Sequence, residues 1–130
     1  NIFLEILLDS NFVLTCVKQN IHFDSLANEL FDEKITWIVA QDVLNELGNL
    51  KDRKGMKKED REAASISFEI LKMLEPEIIE LPGKNPNVDI KLVNHIIDTE
   101  IVLATLDRDL KKRVKNKILT IRGKNSLEII

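Results

Sequence analysis

Short apolar runs rich in β-branched residues alternate along this chain with stretches of helical period, and no other feature constrains the fold as strongly. The runs are Ile6 to Leu8, Ile35 to Ala40 ("ITWIVA"), Ile78 to Leu81, Ile101 to Thr105 ("IVLAT") and Ile118 to Ile121. Between them, Ala63, Ser67, Ile70 and Leu74 recur at helical spacing in "EDREAASISFEILKML", as do Ile90, Val93 and Ile97 in "DIKLVNHII". Several of the strands are apolar without interruption, so both of their faces need cover. That predicts an α/β domain whose mostly parallel sheet carries helices on its two sides. A length of 130 residues suits a single domain over 1–130 with one core.

The remaining composition narrows the class. No run approaches the roughly 20 apolar residues of a membrane span, and no secretory signal is visible. Cys16, the only cysteine, lies in "FVLTCV" and reads as a small buried thiol. With no intrachain disulfide available, a cytoplasmic location is expected. A net charge of -3 argues against coating nucleic acid by bulk electrostatics, while leaving local basic patches free to bind phosphate. "GNLKDRKGMKKEDRE", Gly48 to Glu62, reads as a mobile solvated connection between helices, and "LPGKNPN", Leu81 to Asn87, as a turn that sets up a helix near Val88.

In open α/β sheets the functional crevice lies beyond the carboxyl ends of the strands. Asp9 follows the first strand and Asp107 follows "IVLAT" after one leucine. Either would also serve as a helix N-cap, and Asp89, which opens a helix after "NPNV", invites the same reading. On a helical wheel "DVLNELGNL" places Val43, Leu44, Leu47 and Leu50 on one stripe with Glu46 at its border, from where a carboxylate can lean over the sheet edge. Together the four acids form a hard oxygen donor set suited to Mg²⁺ or Mn²⁺, whereas two histidines and one cysteine hardly furnish a zinc site. Clustered carboxylates repel one another, and a divalent cation relieves that strain. The chemistry such a site supports is hydrolysis of a phosphodiester.

At these residues the sequence resembles the PIN-domain nucleases, in "LLDSNFVL" (Asp9), "VLNELGNL" (Glu46), "NVDIKLV" (Asp89) and "LATLDRDLKKRV" (Asp107), in the family's order. The resemblance implies a five-stranded parallel sheet of order 3-2-1-4-5 flanked by helices, with Asp9 and Asp107 facing each other across one crevice. It also implies a Mg²⁺- or Mn²⁺-dependent endoribonuclease that leaves a 5′-phosphate and a 3′-hydroxyl. Asp9, Glu46, Asp89 and Asp107 would hold the metal, and Ser10 and Thr105 would offer hydroxyl contacts. Two departures stand out: Ile90 occupies a position where the family often has a second acidic or small residue, and Asp109 is a nearby alternative to Asp107. The ending "ILTIRGKNSLEII" looks like archaeal PIN proteins grouped with rRNA-processing factors, while VapC-type toxins share the same acids. The partners implied are RNA, such as rRNA or tRNA, an antitoxin or a ribosome-assembly factor, and a second copy in a homodimer. A PIN fold kept as a non-catalytic RNA- or protein-binding module is the rival from another class.

A dinucleotide enzyme is disfavoured, because no glycine-rich turn follows the first strand. A phosphotransferase with Asp9 as nucleophile is the other α/β alternative. Lys111, Lys112 and Arg113, with Lys115 and Lys117, read equally well as a helix end complementing its dipole or as an RNA-backbone contact beside the crevice. Lys51, Arg53, Lys54, Lys57 and Lys58 carry the same two readings, diluted by Asp52, Glu59 and Asp60. His22 and His95 read as structural or surface residues, and Trp37 as core or partner-facing.

Overall fold

The computed structural model describes residues 3–130; residues 1 and 2, which the single-domain expectation includes, lie outside the described residues. In chain order the elements are β1 (Phe3–Leu8), α1 (Ser10–Lys18), α2 (Phe23–Leu30), β2 (Lys34–Ala40), α3 (Gln41–Asp52) and α4 (Lys58–Met73). They continue with β3 (Glu77–Ile79), α5 (Val88–Ile96), β4 (Val102–Ala104), α6 (Arg108–Arg113), β5 (Ile118–Arg122) and β6 (Ser126–Ile129). The strands form one sheet in the order β3-β2-β1-β4-β5-β6. Its first five strands are parallel and follow the expected order, and β6 adds a sixth that runs antiparallel to β5. That extension depends on a tight turn between the paired residues Arg122 and Ser126, where Gly123 takes φ +63, a backbone region that glycine enters without a Cβ clash.

β1 is the central strand, flanked by β2 and β4, with Leu7 level with Ile38 on one side and Leu103 on the other. Ile6, Leu7 and Leu8 are fully buried in succession, as expected for a strand covered on both faces. Trp37 belongs to this core: its ring meets Phe23 edge to face at 5.4 Å, and Phe23 meets Phe12 likewise at 5.6 Å. Cys16 is buried too, and burial pushes its thiol pKa up to about 12. No helix among the described residues is long and apolar enough to cross a membrane.

One expected connection is largely helix. Gly48 to Asp52 continue α3, and α4 already begins at Lys58, so only five residues of the charged stretch join the two. The helix runs through Gly48 because Leu47 is buried against the core and Leu50 half-buried beside it, and that packing outweighs the weak propensity of a single glycine. Between α5 and β4, the Asn116 side chain does work that no local signal announces: its Nδ2 donates to the carbonyl oxygens of Ile96 (3.2 Å), Thr99 (3.1 Å) and Ile101 (2.7 Å). It thereby ties the end of α5 to the chain entering β4. Replacing it by Ala should cost about 1–3 kcal/mol in urea unfolding, because carbonyls in a partly buried turn lose their donor. Asn116→Asp should cost more, since a carboxylate would face those same oxygens; a midpoint unchanged in both variants would show that the amide holds nothing.

Candidate active site

Parallel pairing of β1 with β4 brings their carboxyl ends side by side, and the chain bonds there continue past both strands. The Asp9 N–H donates to the Ala104 carbonyl at 3.0 Å. Asp9 stands at the N-cap position of α1, yet its side chain makes no capping bond. Its Oδ2 accepts instead from the Thr105 hydroxyl at 2.8 Å, and the same hydroxyl oxygen accepts from the Asp107 N–H at 3.1 Å. Thr105 is fully buried and Asp9 is 3% exposed, so this link lies inside the protein. Asp107 does cap its helix, Oδ1 accepting from the N–H groups of Asp109 (2.8 Å) and Leu110 (3.4 Å). For α5 the cap is Asn87, whose side chain accepts from the Ile90 N–H, which leaves Asp89 in the first turn without that task. Glu46, on α3, accepts from the Ser10 hydroxyl at 3.1 Å.

The electrostatics tie the four acids into one group. Burial pushes the Asp9 carboxyl pKa up to about 6; the Thr105 and Ser10 hydrogen bonds oppose the rise, and the charges of Asp89 and Glu46 add to it. Glu46 is raised by burial first and then by the charges of Asp89 and Asp42, against the Ser10 hydrogen bond. Asp89 is raised by burial and by Asp107, with Arg113 acting in the other direction. Asp89 is therefore the member whose charge couples to all three others, and Arg113 is the cation that reaches it.

The other predicted residues differ in their surroundings. Asp109 is exposed in the first turn of α6, and its backbone N–H serves Asp107. Lys111 is committed to β5, donating to the Thr120 hydroxyl at 3.1 Å, while Lys112 and Arg113 are exposed. One feature escaped sequence reading entirely. Lys91 of α5 meets Asp42 of α3 at 2.9 Å, with side chains 16% and 27% exposed. The pair joins the helices that carry Asp89 and Glu46 and neutralises an acid that would otherwise crowd Glu46 further. Nothing local signals it, since the partners are 49 residues apart.

Among the described residues no three His, Cys, Asp or Glu side chains converge to hold a metal ion directly. The donor set still fits a hydrated hard cation. Its members are all carboxylate oxygens, three of them pushed toward neutrality by burial and mutual repulsion, and Mg²⁺ keeps several of its waters while binding through one or two carboxylates. The raised Asp9 pKa has a measurable consequence without metal. The folded chain binds that proton more tightly than the unfolded one, so from about pH 4 to pH 6 Asp9 makes stability fall as pH rises. In EDTA, Asp9→Asn should be more stable than the unaltered protein at pH 7.5 by about 2–3 kcal/mol, the gap closing near pH 4. Urea titrations across that range check this, and parallel pH profiles would contradict it.

Comparison with known proteins bears on what this arrangement is. A family profile described as "PIN like domain" matches residues 6–124. A search of curated protein sequences finds no significant match. Among solved structures, the PIN domain endonuclease Utp24 superposes with a TM-score of 0.78 at 21% identity, covering 96% of this chain and 90% of that one. A VapBC2 structure from Rickettsia felis, bound to a DNA fragment from its promoter, gives 0.63 at 16% identity over 92% and 100%. A Pyrobaculum aerophilum protein gives 0.57 at 21% identity over 88% and 83%. At such identities these neighbours speak for the fold. The profile match, spanning nearly the whole of a chain that carries the sheet order and the four acids described above, makes this protein a member of the PIN-like domain family.

Proposed function

We propose that this chain is a divalent-cation-dependent endoribonuclease whose active site is the crevice of Asp9, Glu46, Asp89 and Asp107. The observation that carries the reading is geometric: the Thr105 hydroxyl links Asp9 and Asp107 at the carboxyl ends of β1 and β4, and Ser10, next to Asp9, holds Glu46 of α3, while burial and mutual repulsion raise Asp9, Glu46 and Asp89. Membership of the PIN-like family supports nuclease chemistry, and the Utp24 neighbour is itself described as an endonuclease. Bound Mg²⁺ or Mn²⁺ would polarise a water and neutralise charge at the scissile phosphate. Asp9, Glu46, Asp89 and Asp107 would hold it, with RNA as substrate.

The protein's own residues divide the remaining work. Thr105 donates its hydroxyl proton to Asp9 and so fixes which carboxylate oxygen is left for the crevice. Ser10 does the same for Glu46. Arg113, whose charge acts on Asp89, would draw a phosphate toward acids that otherwise repel it, and the exposed Lys112 would add to that pull. A role in rRNA maturation is the first reading of its biology, resting on the likeness of the ending "ILTIRGKNSLEII" to archaeal PIN proteins grouped with rRNA-processing factors. A toxin role is the second, resting on the four acids that VapC-type toxins share with this chain.

Incubating a labelled single-stranded RNA with the protein in Mn²⁺, in Mg²⁺ or in EDTA tests the chemistry. Cleavage should require a cation and should fall about 100-fold or more in Asp9→Asn and in Asp89→Asn. Thr105→Val and Ser10→Ala should lose about tenfold, as residues that orient a ligand carboxylate. Equal cleavage by the unaltered protein and Asp9→Asn would defeat the assignment. Growth arrest on expression alone would favour the toxin over the maturation role.

A further inference from the structure

Beside the acidic crevice, α3 and α4 enclose an open groove of about 500 Å³, lined by Leu44, Asn45, Gly48, Asn49, Lys51 and Phe68. Its volume lies in the range of pockets that take a small organic group, roughly 300–1,000 Å³. At 100° per residue, the Asp42 and Glu46 flank of α3 and the Leu44, Gly48 and Lys51 flank lie on opposite sides. Gln41, Asn45 and Asn49 run along the ridge between them. The groove is thus separated from the catalytic acids by a single row of amide side chains, the Gln41 Nε2 donating to the Asn45 Oδ1 at 3.0 Å.

Three observations bear on the kind of ligand it suits. First, Gly48 sits within a twelve-residue helix, where glycine is among the poorest formers, at an ordinary helical position rather than at a turn. A Cβ placed there would meet no heavy atom within 4 Å, so packing does not require the glycine. What it does is leave the groove floor clear. Second, the Phe68 ring at the far wall holds two ammonium groups, Lys51 at 4.8 Å and Lys72 at 4.6 Å from its centroid, which fixes cations at the rim. Asp52 and Glu69, the latter 3.7 Å from Lys72, offset part of that charge. Third, the chain leaving α3 restores it: Arg53, Lys54 and Lys57 are exposed, with no acid between them, in a protein of net charge -3. Amide groups of the kind that hydrogen-bond base or ribose edges, lysines at the rim and a basic run beyond are the features of a surface that follows a polynucleotide. A helical protein segment would instead want a continuous apolar stripe, and here only Leu44 and Phe68 offer one.

We propose that the α3–α4 groove, continued by the 53–57 loop, is a subsite for single-stranded RNA that has crossed α3 from the acidic crevice. The proposal rests on the reading of that crevice as a ribonuclease site. Two variants test it: Gly48→Gln, which fills the floor with a better helix former, and Lys54→Gln/Lys57→Gln, which removes charge from an exposed loop and cannot disturb the core. Gly48→Gln should melt about 2–4 °C higher than the unaltered protein. In EDTA it should bind a single-stranded RNA of about 12 nucleotides roughly tenfold more weakly, while cleaving a trinucleotide in Mn²⁺ at the unaltered rate. The double lysine variant should bind more weakly too, and its dependence of log affinity on log salt should flatten by about 1.4. If both variants bind RNA as the unaltered protein does, the proposal is overturned and the groove is left to a protein partner. If Gly48→Gln fails to fold, the lysine variant decides alone. RNA binding that both variants weaken, without cleavage by any of the three, upholds the subsite and defeats the nuclease reading. Absence of RNA binding by the unaltered protein defeats both.

Discussion

The arrangement turns on one buried hydroxyl. Thr105 donates to the Asp9 carboxylate and accepts from the Asp107 amide, so a side chain with no solvent exposure sets the positions of the two acids that end β1 and β4. This requires the strands to be neighbours in register, Leu8 level with Ala104, and the Asp9 N–H bonding onward to the Ala104 carbonyl. It also requires Asp9 to forgo the capping bond that its place before α1 offers. A carboxylate spent on capping would point along the helix axis; one held by a neighbouring strand points across the sheet end.

Around that link the site is electrostatically uncomfortable and structurally well supported. Burial and mutual repulsion raise Asp9, Glu46 and Asp89, while hydrogen bonds from Thr105, Ser10 and the Ser10 backbone limit the rise. An anion cluster that is held in place and still unfavourable as an anion is suited to binding a cation, since the ion removes a repulsion already built into the fold. The Lys91–Asp42 pair joins the helices bearing Asp89 and Glu46, and as a mostly buried pair it is a geometric constraint more than a source of stability.

How far the sequence disclosed this depends on the range of each signal. Strand identity was legible because burial on both faces writes an unbroken apolar run such as Leu7 to Leu8 or Ile38 to Ala40. β6 was not, because "SLEI" alternates weakly and owes its place to Gly123 and to pairing with β5. The stretch from Gly48 to Asp52 looked like loop for the converse reason: glycine and charge dominate its composition, while its helical state is enforced by Leu47 and Leu50. For the acids, the two bland readings separated only in space. Asp107 caps its helix as its local sequence suggests, whereas Asp9 does not, and Asp89 leaves the cap to Asn87.

By itself the sequence determined the α/β class, through apolar runs and helical periods that depend on residues within one turn or one strand of each other. It also determined which acids stand at strand and helix ends, since those positions follow from the same local periods. Only the tertiary structure decided that Asp89 couples to all three other acids, that Thr105 and Ser10 hold carboxylates 96 and 36 residues away, and that Lys91 closes on Asp42. The reason is the length scale of the interactions: secondary structure answers to neighbours along the chain, whereas hydrogen bonds and charge coupling answer to distance in space, which the sheet order sets.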